Sequence, residues 1–335
     1  MRIWNGSFTS LLSLIQPYLR STLIGLWSHN PKLQISNTNQ VTITFMNSIG
    51  VGTFTRSILI EIAHNRGYLA DSGIRVDEIS VPSSPAAFEM LESSAIDVLI
   101  TSPDNVLAYR YLSKNPLARK LDVRIIGAID RGLGLSLCYA PNLVLTPSTL
   151  GVDVPTSGFA FVGFELLAQQ GIARESYSID LLGSTPKRRV DLVAGKVDST
   201  ILNAGNEIKA ISQGARKIAD ISTIGPYIGT VLSVIGEPSP VELMLREVLD
   251  LVVREVLGGQ HAALIMEIAQ KNLQLAEELA LEHYYTLIDP THGLVRGGQM
   301  DLPSLRTLID LRNKYLPTNE LDDVLADIGT LVRTN

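Results

Sequence analysis

The chain has 335 residues, of which 45% are hydrophobic; this composition excludes intrinsic disorder and fills the cores of about two domains. The formal net charge is −6, from 28 basic and 34 acidic residues without a dense basic stripe, so we expect no nucleic-acid partner. The single cysteine, Cys138, excludes an internal disulfide and a cysteine-based zinc site. The lack of a long uninterrupted apolar run predicts no membrane-spanning segment.

Residues 1–40 precede the regular part of the sequence and are interpreted as a leader or an atypical signal segment. Arg2 and the semi-apolar run Leu11–Ile15 are typical of a secretory signal, which has a positive start and about 7–15 apolar residues. Gln16, Pro17 and Arg20 interrupt the run, and no clear small-residue cleavage site follows. A periplasmic or extracytoplasmic location and a cytoplasmic one therefore both remain open.

From residue 41 onward, β-branched strands alternate with helices of about ten residues, a pattern typical of βαβ units and a parallel sheet. The predicted strands are Val41–Met46, Ile74–Val81, Ile96–Thr101 and Leu121–Ile129. The predicted helices are Phe54–Asn65, one that starts at Pro85–Leu91, and Asp104–Leu112. Asn47–Gly52 is predicted to be the turn between the first strand and the first helix.

The same order of elements begins again near residue 150, which predicts a second lobe of the same architecture. Its predicted strands are Leu150–Val154, Ser176–Leu182 and Val197–Leu202, and its predicted helices are Phe159–Gln170, Lys187–Ala194 and Asn206–Gln213. One common offset aligns Asp97 with Asp198 and Asn105 with Asn206, as expected of an internal repeat. The basic run Lys187–Arg189 is interpreted as a solvated helix face.

Amphipathic helices dominate the last third of the sequence and are expected to wrap the lobes. They are predicted at Val241–Val256, His261–Gln274, Ala276–Leu287, Ser304–Lys314 and Glu320–Val332. The predicted organisation is a leader at 1–40, a first lobe at 41–140, a second lobe at 141–232, and at 233–335 a return to the first lobe with a helical C-terminal tail.

Three passages carry a resemblance to a known family: Met90–Asn105, Gly151–Phe159 with its continuation Leu192–Asp198, and Leu308–Tyr315. In order and spacing they resemble type II periplasmic solute-binding proteins, nearest the branch for nitrate, sulfonate, taurine and thiamine-pyrimidine precursors. The resemblance covers about residues 41–316. It implies an α/β, two-lobed periplasmic-binding-protein-like II fold, in which helices flank a mostly parallel sheet in each lobe. It also implies an ABC permease as partner and lobe closure on a small ligand.

In such a fold, ligands bind at the carboxyl ends of the strands, in the crevice between the lobes. Helix N-termini there offer unpaired N–H groups, which favour a polar or anionic ligand, although Ser, Thr and Asp can equally be plain helix caps. Arg131 can pair with an acidic group or lie on the surface, and Tyr227 can form an aromatic wall or pack in the core. The candidate ligand-binding residues are Ser48, Ile49, Gly50, Val51, Thr101, Ser102, Asp104, Asn105, Arg131, Thr156, Ser157, Gly158, Asn203, Asn206 and Tyr227.

The sequence predicts no catalytic residue, no metal site and no cofactor. The five histidines lack zinc spacing, and Gly50–Gly52 lacks the third glycine of a dinucleotide fingerprint. Cys138 lies in an apolar strand and is interpreted as a core residue. Two functions remain open. One is a monomeric solute-binding protein of an importer, with crossovers near Leu133–Tyr139 and Thr230–Ile235. The other is a cytoplasmic enzyme on the same scaffold that acts on a small heteroaromatic or sulfur compound.

Overall fold

The fold is given by a computed structural model that describes residues 46–326 and 328–333. In these residues, ten strands form two five-stranded sheets. The strands are β1 Asn47–Thr53, β2 Ile74–Ser80, β3 Val98–Thr101, β4 Val123–Asp130, β5 Ser136–Tyr139, β6 Thr149–Val152, β7 Ser178–Leu181, β8 Ser199–Leu202, β9 Arg216–Asp220 and β10 Thr230–Ile235.

Helices flank both sheets and continue into the C-terminal tail. The helices of the two lobes are α1 Ile58–Asn65, α2 Tyr68–Asp71, α3 Ser84–Glu92, α4 Pro103–Tyr111, α5 Gly158–Gln169, α6 Thr185–Val193 and α7 Asn206–Ser212. The helices of the tail are α8 Pro240–Leu257, α9 Ala262–Leu273, α10 Glu277–Ile288, α11 Leu302–Tyr315 and α12 Ile328–Leu331. None of the described helices has the length and apolar character needed to cross a bilayer.

The two sheets have equivalent strand orders, which confirms the predicted α/β architecture of two similar lobes. The first sheet has the order β2-β1-β3-β10-β4 and the second β7-β6-β8-β5-β9. In the first, β1 runs parallel to β3, and β10 lies antiparallel between β3 and β4. In the second, β6 runs parallel to β7 and β8, and β5 lies antiparallel between β8 and β9. Each sheet is therefore mixed, because one strand arrives from the other lobe.

The chain crosses between the sheets twice, from Asp130 to Ser136 and back from Asp220 to Thr230. The lobe boundaries predicted at 140/141 and 232/233 each lie beyond the crossing. Strand β5 pairs in the second sheet and β10 in the first, because a crossover strand pairs with the lobe that it enters. Leu294 bridges back to Asp130, so the tail returns to the first sheet.

The first predicted turn is wrong, because Asn47–Thr53 is a strand whose residues Ile49 and Val51 are buried. A Cβ atom on Gly52 would lie 2.5 Å from Ile96 Cδ1. This glycine therefore makes room for core side chains to pack on the strand, and it does not form a turn. Helix α1 begins at Ile58, not at Phe54. The leader or atypical signal segment predicted at 1–40 and residues 41–45 of the predicted strand lie outside the described part of the chain.

The last predicted helix, Glu320–Val332, is also wrong. Successive turns follow α11 over 320–326, with backbone bonds such as Asp322 N to Asn319 O at 3.4 Å, and only the short α12 is helical. Short polar side chains such as Asn319 and Asp322 compete with the helix for backbone hydrogen bonds and favour turns.

Candidate functional site

A cavity with a volume of about 490 Å³ lies between the carboxyl ends of the two sheets. The first lobe contributes the turn Phe54–Ser57 and the ends of β2, β3 and β4. The second lobe contributes the segments that follow β6, β7 and β8, and the tail contributes residues around the α9–α10 connection. Parallel strands followed by helices place these chain ends at one edge of each sheet, which is where an α/β fold binds ligands.

Six of the candidate residues line this cavity. They are Thr101, Ser102, Asn105, Ser157, Asn203 and Asn206. Two of them also cap helices: Ser102 Oγ accepts from Asp104 N at 3.3 Å, and Ser157 Oγ accepts from Ala160 N at 3.3 Å. Capping and cavity lining are therefore combined in the same side chains rather than being alternatives.

The candidates Ser48, Ile49, Gly50 and Val51 do not line the cavity, because they lie in β1. The amide of Gly50 donates to Asp97 Oδ2 at 2.7 Å, and its two apolar neighbours belong to the core.

The turn after β1, Phe54–Ser57, lines the cavity instead of Ser48–Val51. The sequence reasoning did not identify this turn as part of the site. Its sequence signal is Ser57, a serine immediately before an apolar helix, whose Oγ accepts from Ile60 N at 3.5 Å.

Asp104, Thr156 and Gly158 lie in a buried contact between the lobes instead of the cavity. Arg312 of α11 donates to Asp104 Oδ1 at 2.8 Å and to Oδ2 at 2.5 Å, and it also donates to the carbonyl oxygen of Thr156 at 2.9 Å. A Cβ atom on Gly158 would lie 2.6 Å from Asp104 Cβ, so the missing side chain allows the two lobes to approach. No ligand fits between them at this point.

Arg131 and Tyr227 also lie outside the cavity lining. Arg131 donates to Asp301 Oδ2 at 3.3 Å, which ties the crossing segment to the start of α11. Tyr227 is buried, and burial raises the pKa of its hydroxyl. Both residues therefore belong to the scaffold around the crossings.

Arg188 is a cavity residue that the sequence reasoning missed, because the run Lys187–Arg189 was interpreted as solvated. Lys187 is exposed, but the Arg188 side chain is buried, and its guanidinium donates to Gly183 O, to Thr185 Oγ1 at 3.0 Å and to Ile201 O at 3.2 Å. These acceptors are all neutral. Burial lowers the pKa of Arg188 to about 10, and no carboxylate of the described residues forms an ion pair with it.

Basic side chains outnumber acidic ones in the cavity lining. The basic residues are Arg56, Arg188, Arg189 and Lys209, and the acidic ones are Asp130 and Asp153. Asp130 accepts from Gly132 N at 2.7 Å and from the hydroxyl of Thr230, and burial raises its pKa to about 6. The lining is thus locally positive in a chain whose formal net charge is −6.

Direct contacts between the lobes close the cleft. The carboxylate of Asp153, after β6, accepts from the amide of Ser84 at the start of α3, with an Oδ2 to N distance of 2.9 Å. Asn206 Nδ2 lies 3.5 Å from Thr55 Oγ1, which joins the two lobes again. These hydrogen bonds join the two lobes across the cleft.

His283 of α10 completes the wall on the side of the tail. Its ring is buried, and burial lowers its pKa to about 4, so it is neutral at physiological pH. Within residues 46–326 and 328–333, no group of three or more His, Cys, Asp or Glu side chains is arranged to hold a metal ion.

Comparisons with known proteins give a likeness at the level of the fold. No protein-family model matches the chain, and no curated protein matches it by sequence. The solved alkanesulfonate-binding protein SsuA from Xanthomonas axonopodis pv. citri, bound to MOPS, superposes with a TM-score of 0.66 at 15% identity, over 87% of this chain and 98% of that one.

Two further solved structures cover this chain to a similar extent. The periplasmic nitrate-binding protein NrtA from Synechocystis PCC 6803 has a TM-score of 0.66 at 12% identity, over 86% of both chains. The Candida albicans CA3427 gene product, described as having the generic periplasmic binding protein fold, has a TM-score of 0.65 at 15% identity, over 87% of this chain and 96% of that one. The chain therefore has the two-lobed fold of the periplasmic binding proteins, as the resemblance of its motifs predicted.

Proposed function

We propose that the chain is a solute-binding protein of an ABC-type importer, which closes its two lobes around a small polar or anionic organic ligand. The observation that carries this proposal is the cavity between the two lobes, whose walls come from both lobes. The lobes are joined by two crossing segments. Two lobes on such a hinge open to admit a ligand and close when the ligand bridges them.

The lining supports the sulfonate, nitrate or pyrimidine class of ligand that the structural neighbours and the motifs suggest. Arg188 supplies a buried positive charge, and the N-terminus of α5 adds the hydroxyl of Ser157. A volume of about 490 Å³ holds on the order of ten or more water molecules, which favours an organic ligand over a single nitrate ion.

The proposal includes a monomeric protein, an ABC permease as partner and an extracytoplasmic location. Fractionation of the native host, followed by immunodetection of the chain, tests the location. Recovery in the cytoplasmic fraction would contradict it and favour the enzyme hypothesis.

An enzyme on the same scaffold receives no support from Cys138. This residue is buried in the second sheet, and burial raises the pKa of its thiol to about 12. A thiol with this pKa is protonated at neutral pH and is a poor nucleophile.

A thermal-shift screen of sulfonates, nitrate, pyrimidines and carboxylates, followed by small-angle X-ray scattering, tests the binding function. We expect a saturating hit to lower the radius of gyration, because binding shifts the lobes toward the closed form. Calorimetric binding without any change in the radius of gyration would contradict lobe closure.

A further inference from the structure

Several buried polar atoms of the cavity residues have no hydrogen-bond partner within the described chain. On α6, the Nε atoms of Arg188 and Arg189 are donors without an acceptor. On the other side, Asn206 Oδ1 and His283 Nδ1 have no partner. Native proteins leave few buried polar groups unpaired, so unpaired atoms that line a cavity indicate the hydrogen-bonding groups that a ligand supplies there.

The two kinds of atom lie at different places along the second sheet. Arg188 and Arg189 lie on the helix that follows β7, an edge strand, whereas Asn206 begins the helix that follows β8. Strand β6 separates β7 from β8, so the carboxyl ends of these strands are roughly 10 Å apart. His283 belongs with Asn206, because its Nδ1 lies 3.1 Å from where a Cβ atom of Gly205 would be.

The chemical character of the second pair is fixed by its surroundings. Asn206 Nδ2 donates to the carbonyl oxygen of Asn203 at 3.1 Å, which leaves Oδ1 as the free acceptor of the amide. A neutral histidine accepts a hydrogen bond at Nδ1 in the tautomer that carries its proton on Nε2. The free acceptor of Asn206 calls for a hydrogen-bond donor on this side of the cavity, and His283 in that tautomer accepts from the same donor.

The first pair calls for an acidic group. Asp153 Oδ1 is a further unpaired acceptor among the cavity residues, and its carboxylate acts electrostatically on Arg188. The negative charge of the Asp153 carboxylate offsets the positive charge of one of the two guanidinium groups, so a net positive charge remains. Arginine pairs with carboxylates, sulfonates and phosphates through parallel hydrogen bonds.

We propose that the ligand is bifunctional: an acidic group pairs with Arg188 and Arg189, and a hydroxyl, amide or ammonium group at the opposite end donates to Asn206 and His283. This inference rests on the proposed solute-binding function and narrows its ligand class. Apolar side chains such as Phe159 and Leu133 line the same cavity and contact the spacer between the two groups.

Matched probes test both ends in the native protein, without any substitution. The probes are ω-hydroxyalkanesulfonates of increasing chain length, alkanesulfonates without the hydroxyl, alkanols without the acid, and the corresponding carboxylates. In calorimetric titrations, we expect the best hydroxy acid to bind at least about tenfold more tightly than the acid of equal length, because an unpaired buried acceptor gains its donor. The alkanols bind weakest, since they leave the Nε atoms of both arginines without an acceptor.

Substitutions then show which residues bind each end of the probe. His283→Phe should reduce the preference for the hydroxylated acid severalfold, because Asn206 remains as the second acceptor, and retain the affinity for the plain acid. Arg189→Gln should lower the affinity for the hydroxy acid and for the plain acid by the same factor, because it removes an interaction with the acidic group that both probes share. Lys114→Gln and His64→Gln alter exposed residues away from the cavity and serve as controls. Thermal melts verify that each variant is folded.

Each outcome separates this inference from the function on which it rests. If plain acids bind as tightly as hydroxy acids and still reduce the radius of gyration, the bifunctional ligand is wrong and the solute-binding function stands. If alkanols bind as tightly as hydroxy acids, the acidic end is wrong. If no probe of any length binds, the ligand class is overturned. If probes bind and the lobes do not close, the proposed function itself fails.

Discussion

Burial and charge conflict at Glu207, whose side chain is buried at the start of α7. Burial raises the pKa of this carboxyl to about 8. The backbone amides of Glu207 and Gly205 and the charge of Lys217 act against this shift, and the charge of Glu282 adds to it. The folded chain therefore holds the proton more tightly than the unfolded chain. Stability is present at low pH and is lost as the pH rises from about 4.3 to about 8.

Glu207→Gln should remove this loss, because an amide does not ionise. We expect its stability relative to the native protein to increase by more than about 2 kcal/mol between about pH 5 and about pH 8. Urea unfolding of both proteins across this range measures the difference, in which the opposing titration of His283 cancels. Glu278→Gln, at an exposed position, is the control. Equal pH slopes for Glu207→Gln and the native protein would contradict the prediction.

Ser157 both caps α5 and lines the cavity, so its two roles separate in different assays. We expect Ser157→Ala to weaken binding of the best screened ligand at least about tenfold, because a hydrogen bond to a charged ligand is lost. Loss of the cap should lower the free energy of unfolding by about 1–2 kcal/mol. Calorimetric titration and urea unfolding measure the two effects.

Ser83→Ala is the matched control for this change. Ser83 caps α3 by accepting from Ala86 N at 3.5 Å and is not among the cavity residues. It should lower stability to a similar extent and leave affinity unchanged. If Ser157→Ala behaves in the same way, the serine is a cap only.

At the scale of elements, Arg312 ties the tail helix α11 to both lobes, through a buried ion pair with Asp104 and a hydrogen bond to the carbonyl oxygen of Thr156. Arg312 and Asp104 are each 1% exposed, so neither charge has water as an alternative partner. Arg312→Met should lower the free energy of unfolding by about 3–5 kcal/mol, because it leaves the Asp104 carboxylate buried and unpaired. Urea unfolding at neutral pH measures this.

Lys314→Met provides the comparison on the same helix. Its ammonium pairs with Glu165 on α5, but the lysine side chain is 55% exposed, so we expect a loss of at most about 1 kcal/mol. Equal losses for the two variants would show that burial does not govern the strength of these pairs.

Elements with strong periodicity were predictable from the sequence, and elements defined by distant partners were not. The amphipathic pattern of Val241–Val256 predicted α8 to within one residue at each end. By contrast, β1 has glycines at alternate positions, and only the packing of Ile96 into the space above Gly52 explains why that segment is extended.

The site was predictable to the same degree. Thr101, Asn105 and Asn203 follow strands whose ends the pattern located, and they line the cavity. Arg188 could not be found in this way, because its burial depends on Ile201 in a neighbouring strand rather than on the charged residues next to it.

At the scale of the whole molecule, the hydrogen bond between Asp153 and the amide of Ser84 is one of the direct contacts between the lobes. We expect Asp153→Ala to enlarge the ligand-free radius of gyration, because the N-terminus of α3 loses a partner that belongs to the other lobe. The free energy of unfolding should change by no more than about 2 kcal/mol. Small-angle X-ray scattering and urea unfolding measure the two quantities.

Ser239→Ala is the control for this variant, because Ser239 caps α8 from within its own segment, accepting from Glu242 N at 3.4 Å. It should lower stability and leave the radius of gyration unchanged. An unchanged radius of gyration for Asp153→Ala would mean that other contacts hold the lobes.

Gly158 acts as a spacer where the two lobes meet. Asp104, against which it packs, lies near enough to Tyr227 in the return crossing for its charge to raise the pKa of that hydroxyl. A methyl group at Gly158 would hold the lobes apart at this contact. The displacement between the lobes then increases with distance from the crossing segments. Asp153 and Ser84 would then separate, although no atom of the cavity had been changed. We therefore expect a methyl group at Gly158, outside the cavity, to limit the closure of the lobes on the proposed ligand.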